Sequence, residues 1–323
     1  MKILLLGANG QLGRTFVEHG GLAVRGDLAL ATRDGSLGGT EHGCEAADLA
    51  EPATLTALLD RVIPDVIINT AAYTAVDRAE QEGSLATRAN GEAVGVLGRW
   101  AKVHGALVVH YSTDYVFDGS QSRPYAVDAP TGPLGAYGRS KLAGESALHD
   151  SGADHLIFRT AWVYAAHGKN FLRTMLRVGA ERDELRVVAD QHGSPTDTML
   201  IVRGSLAALD RWEQADSMQR AKLIGIHHLV STGATTWHGF ASAIFEDAAK
   251  LGLIHQLPRV IPISSLEYPT LATRPAWSLL DNTEFETTFD FPLPDWRKGL
   301  IEVIDRLVEK QENSGHCNRA QEF

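Results

Sequence analysis

The chain has 323 residues, 44% of them hydrophobic and 22% charged, with a formal net charge of −10. Such a chain can bury a sizeable core without disulfide staples, and its acidic balance argues against sequence-independent binding of nucleic acid, which needs dense lysine and arginine. The two cysteines, Cys44 and Cys317, form neither a disulfide framework nor a zinc site, and no apolar run reaches the roughly 18 residues of a membrane span, so a protein of the reducing cytoplasm is expected.

The chain opens with "MKILLLGANGQLG", too short and too weakly basic for a secretory signal. It reads as a first strand followed by a turn in which Gly7, Gly10 and Gly13 are spaced G-x-x-G-x-x-G. Glycines there permit a tight turn and let the backbone approach a pyrophosphate, whose charge the N-terminus of the next helix stabilises. The spacing resembles that of the short-chain dehydrogenase/reductase superfamily more than the ordinary G-x-G-x-x-G. The next strand, "LALAT", ends in Thr32 and Arg33. About 20 residues past such a turn an acid binds a ribose 2′-hydroxyl, whereas an arginine receives a 2′-phosphate. Arg33 therefore points to NADPH over NADH, with neighbouring Asp34 as the competing residue.

"EPATLTALLDRV" and "EAVGVLGRWAKVHG" read as helices, and "DVIINTAA" and "ALVVHYST" as strands. Continuous apolar strands between helices indicate a parallel sheet buried on both faces. The last of these strands runs into Ser112, Thr113 and Asp114, at the end that faces the ligand crevice in a doubly wound sheet. Then comes "GAYGRSKLAGE", which puts Tyr137 four residues before Lys141, on one helix face with Cβ atoms about 6 Å apart. Alone, that spacing describes an ordinary exposed pair. Beside a nucleotide turn and a Ser/Thr strand end it describes a carbonyl reductase, in which Lys141 lowers the phenol's pKa, Thr113 orients the reacting oxygen and Tyr137 donates the proton.

A helix through Leu148, the strand "HLIFRTAWVY" and the helix "NFLRTMLRVGA" follow. In "IHHLV", His227 and His228 fall on opposite faces of a strand and cannot share a metal. Beyond about Val187 the pattern loosens into "GSPT", "STGATT" and "ISSLEYPTLATRPAWS". A closing helix from about Trp296 to Glu309 carries Leu300, Ile301, Ile304, Leu307 and Val308 on its apolar face. "GSLGGTEHG" is expected as a surface loop and "ENSGHCNRAQEF" as a frayed end. The fold class is α/β, a doubly wound parallel sheet of Rossmann type. A dinucleotide-binding domain over 1–165, completed by segments within 190–235, interleaves with a smaller C-terminal α/β substrate domain over 166–323.

Taken together, "ILLLGANGQLG", "DVIINTAAYTAVDRAE", "YSTDYVFDG", "PLGAYGRSKLAGE", "FRTAWVYAAHGKNF", "LRVVADQHGSPT", "HLVSTGATTWHGFA", "RPAWSLLD" and "LPDWRKGL" resemble the dTDP-4-dehydrorhamnose reductase family, across nearly the whole chain. The resemblance implies NADPH-dependent reduction of the 4-keto group of dTDP-6-deoxy-L-lyxo-4-hexulose to dTDP-L-rhamnose, the last step of that synthesis. It implies Thr113, Tyr137 and Lys141 as the catalytic trio. Gly10, Gln11 and Leu12 would lie against the pyrophosphate, Asp48 and Leu49 near the adenine, and Ala71, Ala72 and Tyr73 along the cofactor. Val76, Asp77, Asp114, Trp162 and Asn170 would line the sugar pocket, although Val76 and Trp162 also suit a core and Asn170 a helix cap. Arg274 is a candidate diphosphate ligand, because its planar fork matches phosphate oxygens.

One departure concerns metal. Some members of the family dimerise through magnesium held by glutamates, and here Thr15 and Arg297 stand where acids are expected. No magnesium requirement, and a monomer or weak homodimer, are therefore expected. Sugar-nucleotide 4,6-dehydratases need two carboxylates after the threonine, whereas this chain has Asp114 and Tyr115. The alternatives that stay open are a reductase or epimerase of another nucleotide-linked deoxysugar, and a non-catalytic NADP-binding regulatory subunit.

Overall fold

The computed structural model describes residues 1–38 and 43–319, with side chains described as far as Glu312. Part of the expected 35–43 loop, the Cys317 side chain and the last four residues lie outside the described residues. The first half runs β1 (Lys2–Leu6), α1 (Gln11–His19), β2 (Asp27–Thr32), β3 (Cys44–Ala46), α2 (Pro52–Val62), β4 (Val66–Asn69), α3 (Val76–Ala79), α4 (Gly83–Thr87), α5 (Ala93–His104), β5 (Leu107–Thr113), α6 (Ala136–Asp150) and β6 (His155–Thr160). Between α4 and α5, residues Arg88–Glu92 form a π-helical segment that joins the two helices into one.

The second half contains β7 (Val163–Tyr164), α7 (Phe171–Gly179), β8 (Glu184–Val188), β9 (His192–Gly193), β10 (Thr196–Asp197), α8 (Thr198–Gln214), α9 (Ser217–Leu223), β11 (Gly225–His228), β12 (Thr235–Thr236), α10 (Trp237–Lys250), β13 (Arg259–Ile263), α11 (Thr283–Phe289) and α12 (Trp296–Arg319). Seven strands form the central sheet in the order β11-β6-β5-β4-β1-β2-β3, with every pairing parallel. The winding reverses between β1 and β4. At such a switch point the loops leaving neighbouring strands diverge and open a crevice at the strands' carboxyl ends.

The apolar runs explain why the sheet is sandwiched. Ile3, Leu5, Ile68 and Val109 pack with Phe16 of α1, Leu200, Ile201 and Trp212 of α8 and Phe285 of α11. On the other face, Leu4, Leu6, Ile67 and Val108 pack with Leu55 and Leu58 of α2, Val94 and Leu97 of α5 and Leu148 of α6. A separate cluster in the C-terminal part joins Tyr164, Leu172, Phe240, Ile244, Trp296, Leu300 and Ile304. His227 packs on Phe289 and His228 on Phe117, as expected from opposite faces of β11.

Four expectations are corrected. "HLIFRTAWVY" is not one strand: the sheet strand ends at Thr160, Trp162 takes a left-handed conformation at φ 49°, and Val163–Tyr164 pairs with β10 instead. The 17-residue helix α8 occupies a stretch read as patternless. It is packed against the sheet and neighbouring helices over a wide arc, from Leu200 through Trp212, which leaves only a narrow polar face at Arg203, Asp210, Arg211, Glu213 and Gln214 and blurs the stripe that marks an amphipathic helix. The final helix continues to Arg319, through most of the expected frayed end. Ile301, expected on that helix's apolar face, is 40% exposed.

Beneath α6 lies a buried ion pair. Glu145 Oε1 accepts from Arg159 Nε at 2.9 Å and Oε2 from Arg159 Nη2 at 2.7 Å, with Ser112 donating to the same carboxylate. Arg159 also donates to the Val127 carbonyl at 3.0 Å, and its guanidinium lies 5.0 Å from the Phe117 ring centroid. Removing one partner strands the other charge in the core. Arg159→Met is expected to cost about 3–5 kcal/mol in urea unfolding, and Arg159→Met combined with Glu145→Leu to recover a large part of it.

Candidate active site

The site grows from the glycine turn. Gly7 has φ 78° and sits so close to the chain after β4 that a Cβ on it would lie 2.7 Å from Ala71 N. A Cβ on Gly13 would meet Gly7 O at 2.1 Å. The turn is therefore packed to bare backbone, held by Gly7 N donating to Ala31 O at 2.8 Å and Gly10 N to Gly7 O at 2.8 Å. The first turn of α1 has no side-chain cap, so its N–H groups remain free to bind an anion. Gln11 and Leu12 form that first turn; Gln11 Oε1 accepts from Asn170 at 2.8 Å.

Around the turn stand the other expected cofactor residues. Thr32 closes β2, and its hydroxyl faces Asp34 Oδ1 at 3.3 Å and the Ser36 carbonyl at 3.2 Å. Asp34 accepts from Ser36 N at 3.0 Å, and this bond holds its carboxyl below the ordinary value, while Arg33 is exposed. Asp48 folds back on Ala50 N at 2.9 Å, with Leu49 buried beside it. Ala71, Ala72 and Tyr73 follow β4 next to Gly7. The Tyr73 backbone is clamped by Asn90, which accepts from Tyr73 N at 2.8 Å and donates to Tyr73 O at 2.9 Å.

Across the crevice, α6 presents Tyr137, Lys141 and Glu145 at four-residue intervals. Its start is not capped by its own residue, since Gly135 has no side chain; Glu80 supplies the cap, accepting from Ala136 N at 2.7 Å. Asn90 donates to Ser140 Oγ at 2.9 Å, and Ser140 donates to the Tyr137 carbonyl at 2.7 Å. Lys141 is 2% exposed; its Nζ donates to the Tyr111 carbonyl at 2.6 Å and lies 3.2 Å from His110 Nε2. Thr113 stands within hydrogen-bonding reach of the Tyr137 phenol, and donates to Asp114 Oδ1 at 2.9 Å. The edge of the Tyr115 ring meets Tyr137 with centroids 5.7 Å apart.

The electrostatics differ from the expectation in one respect. Burial, with the Asp114 charge added, pushes the Tyr137 phenol up to about 12, against a smaller lowering by Thr113. Lys141 does not lower it, because the ammonium is turned to the Tyr111 carbonyl and His110. Burial pushes Lys141 itself down to about 8, with Glu145 opposing. At neutral pH the phenol therefore holds its proton and the lysine is mostly charged.

Asp77 and Arg274, named separately from the sequence, meet at 2.7 Å, and Ala272 N donates to Asp77 at 3.2 Å. One Arg274 guanidinium nitrogen, Nη1, is buried without a partner. Val76, the residue before Asp77, is half-buried. Trp162 and Asn170 are engaged elsewhere. Trp162 stacks on Trp237 at 3.5 Å. Asn170 caps α7 by accepting from Arg173 N at 3.0 Å, and its amide nitrogen is taken up by Gln11, Ala165 and His167. Thr15 is buried, its hydroxyl donating to Gln11 O at 2.9 Å and lying 2.8 Å from Thr198 Oγ1, and Arg297 pairs with Glu246 and Asp247. Among the described residues no cluster of His, Cys, Asp and Glu could hold a metal, and no helix is long and apolar enough to cross a membrane. Asn90, Glu80 and His110 escaped the sequence reading. The one local signal was an uncharged polar residue, Asn90, inside a helical stretch.

Asp114 is 1% exposed and one of its oxygens, Oδ2, has no partner. Burial pushes its carboxyl up to about 6, against the hydrogen bonds of Ser278 and Thr113. A raised pKa means that stability present below the unfolded value is lost as pH rises through about 6. Asp114→Asn is thus expected to stabilise the fold by up to about 3 kcal/mol at pH 8 and far less at pH 4, measured by urea unfolding at both.

The family described as RmlD substrate binding domain matches residues 1–309. A dTDP-4-dehydrorhamnose reductase of Burkholderia thailandensis is 47% identical over 96% of this chain and 100% of its own length, and one of Salmonella typhimurium is 39% identical over 95% and 98%. The crystal structure of a dTDP-4-dehydrorhamnose reductase from Clostridium acetobutylicum superposes with a TM-score of 0.79 at 34% identity, covering 95% of this chain and 99% of that one. The enzyme of that name from Bacillus anthracis, solved in complex with NADP, superposes at 0.76 with 30% identity, covering 94% and 98%. With a matched family, relatives aligned end to end and a shared fold, this chain belongs to the dTDP-4-dehydrorhamnose reductases, a family of NAD(P)H-dependent oxidoreductases.

Proposed function

We propose that the chain uses NADPH to reduce the 4-keto group of dTDP-6-deoxy-L-lyxo-4-hexulose, giving dTDP-L-rhamnose and completing the synthesis of that sugar nucleotide. The observation that carries this reading is the Thr113, Tyr137 and Lys141 set at the carboxyl end of β5 and on α6, on the same sheet as a glycine turn that excludes side chains before the N-terminus of α1. The relatives' names supply the substrate.

The residues present suit a nicotinamide dinucleotide. Gly7, Gly10, Gln11, Leu12 and Gly13 would take the pyrophosphate on free N–H groups. Asp48 and Leu49 would flank the adenine, and Ala71, Ala72 and Tyr73 the ribose and nicotinamide side. Exposed Arg33, with Asp34 occupied by its own turn and Thr32 alongside, suits a 2′-phosphate. When bound, NADPH supplies a hydride to the carbonyl carbon.

The chain's own residues do the rest. Tyr137, protonated at neutral pH, donates its proton to the carbonyl oxygen as negative charge develops there. Thr113 holds that oxygen against the phenol, and Lys141, turned to the Tyr111 carbonyl and His110, is the buried cation of the site rather than the group that acidifies the phenol. Asp77 and Arg274 act as a pair at the nucleotide end. The carboxylate fixes the guanidinium, whose unpartnered Nη1 is free for a diphosphate oxygen. Asp114 and Val76 face the sugar in this reading. Trp162 and Asn170 contribute through their neighbours, Trp237 and Gln11. With Thr15 buried and Arg297 paired to acids, the proposal includes no magnesium requirement and a monomer or weak dimer.

The decisive assay follows NADPH absorbance with dTDP-4-keto-6-deoxyglucose and its 3,5-epimerase. Consumption should require the epimerase, and Tyr137→Phe should lower kcat by about 10²–10⁴-fold. An epimerase would show no net NADPH oxidation, and a regulatory subunit would bind NADPH without turnover. Arg33→Ala should narrow the ratio of NADH to NADPH dissociation constants by about tenfold; an unchanged ratio removes Arg33 from cofactor selection. Light scattering should give the same mass with and without chelator, and a dimer that dissociates in chelator would overturn the magnesium proposal.

A further inference from the structure

One buried titratable ring has no part in the reduction just described. His110 on β5 is 1% exposed. Its Nε2 lies 3.2 Å from Lys141 Nζ, and its Nδ1 lies 3.1 Å from the Asn69 amide nitrogen. An ammonium has three N–H donors and no lone pair. While Lys141 is charged, Nε2 must therefore accept, and the ring's proton sits on Nδ1. Asn69 Oδ1 is buried without a partner; turning that amide over sets Oδ1 against Nδ1–H and completes the chain of bonds.

We infer that His110 is the positioning residue of Lys141: its neutral imidazole takes one ammonium N–H, the Tyr111 carbonyl takes a second, and the third is left for the crevice. The consequence for rate rests on the proposed reduction, whereas the geometry does not. Burial and the lysine's charge hold His110 well below its ordinary value, so the ring stays neutral. The other groups facing Lys141 are Tyr137 and Glu145 on its own helix and Asp114 past the end of β5. Arg159 on β6 is paired with Glu145, and Asp77 with Arg274. On the helices packed against α6, Arg78, Arg88, Glu92, Arg99 and Lys102 are all exposed. Among the described residues, the groups in hydrogen-bond contact with the ammonium are the imidazole and the Tyr111 carbonyl.

His110→Phe keeps an aromatic ring and removes the acceptor, while His110→Gln retains one. Without an acceptor the charged lysine loses a hydrogen bond, so its pKa falls below about 8. The alkaline limb of the kcat profile should move down by about one pH unit in His110→Phe and stay in place in His110→Gln. KM for the sugar should hold within about twofold, since His110 acts through Lys141 rather than on the substrate. A His110→Phe profile that overlays wild type, or a His110→Gln profile shifted as far as it, overturns the assignment. Nitrogen NMR of the wild type should show His110 neutral with its proton on Nδ1 between about pH 5.5 and 7.5, and the Nε2 resonance should move in Lys141→Met. A charged ring or the Nε2–H tautomer in wild type would overturn it equally. Should wild type consume no NADPH with the sugar, the functional reading fails, and the NMR result alone decides the role of His110.

Discussion

Glu145 is where the fold and the chemistry meet. It lies two turns beyond Tyr137 on the same face of α6, buried, and its carboxylate is fully engaged by Arg159 and Ser112. A helix that carries a lysine and a glutamate on its buried face is costly to dock unless each charge finds partners there. Arg159 from β6 and Ser112 from β5 meet the glutamate, and the Tyr111 carbonyl and His110 meet the lysine. Those contacts seat α6 across two central strands. They also fix where the phenol and the ammonium arrive at the strand ends, because the three side chains ride on one rigid helix.

The two reacting groups are pushed apart by their surroundings. Burial raises the phenol to about 12 and lowers the ammonium to about 8, whereas in water the two are nearly equal. The phenol therefore keeps its proton until negative charge develops on the carbonyl oxygen that receives it. Glu145 offsets part of the burial effect on Lys141, so the ion pair that holds α6 also helps keep the lysine charged.

What the sequence makes legible is what is local. The glycine spacing after an apolar strand, the buried runs of β4 and β5, and the four-residue step from Tyr137 to Lys141 each need only a short window. The structure sets Thr113 at the carboxyl end of the central strand β5 with Tyr137 and Lys141 on α6 beside it, and joins Asp77 to Arg274 from nearly 200 residues away. Less legible is what depends on distant segments: the helix α8, whose buried arc is wide and whose polar face is narrow; the left-handed turn at Trp162 that breaks a promising strand; and the partners His110, Asn90 and Glu80. Asn170 shows the limit well. A helix cap and a pocket residue look alike in sequence, and only the positions of Gln11 and Arg173 separate them.

The π-helical segment at Arg88–Glu92 has a consequence for how such a chain can vary. Its Ala93 N–H bonds the Arg88 carbonyl, five residues back, so the helix holds one residue more than a regular turn would. That extra residue swings Asn90 into contact with both Tyr73 and Ser140. Deleting Gly91 or Glu92 would let the helix close into ordinary register, with α5 still docked by its apolar face, and would turn the Asn90 amide about 100° away from both partners. The segment thus behaves as a counted interval: surface loops elsewhere can lengthen or shorten between relatives, but the 17-residue separation of Tyr73 and Asn90 cannot drift without unfastening the crevice from the helix beside it.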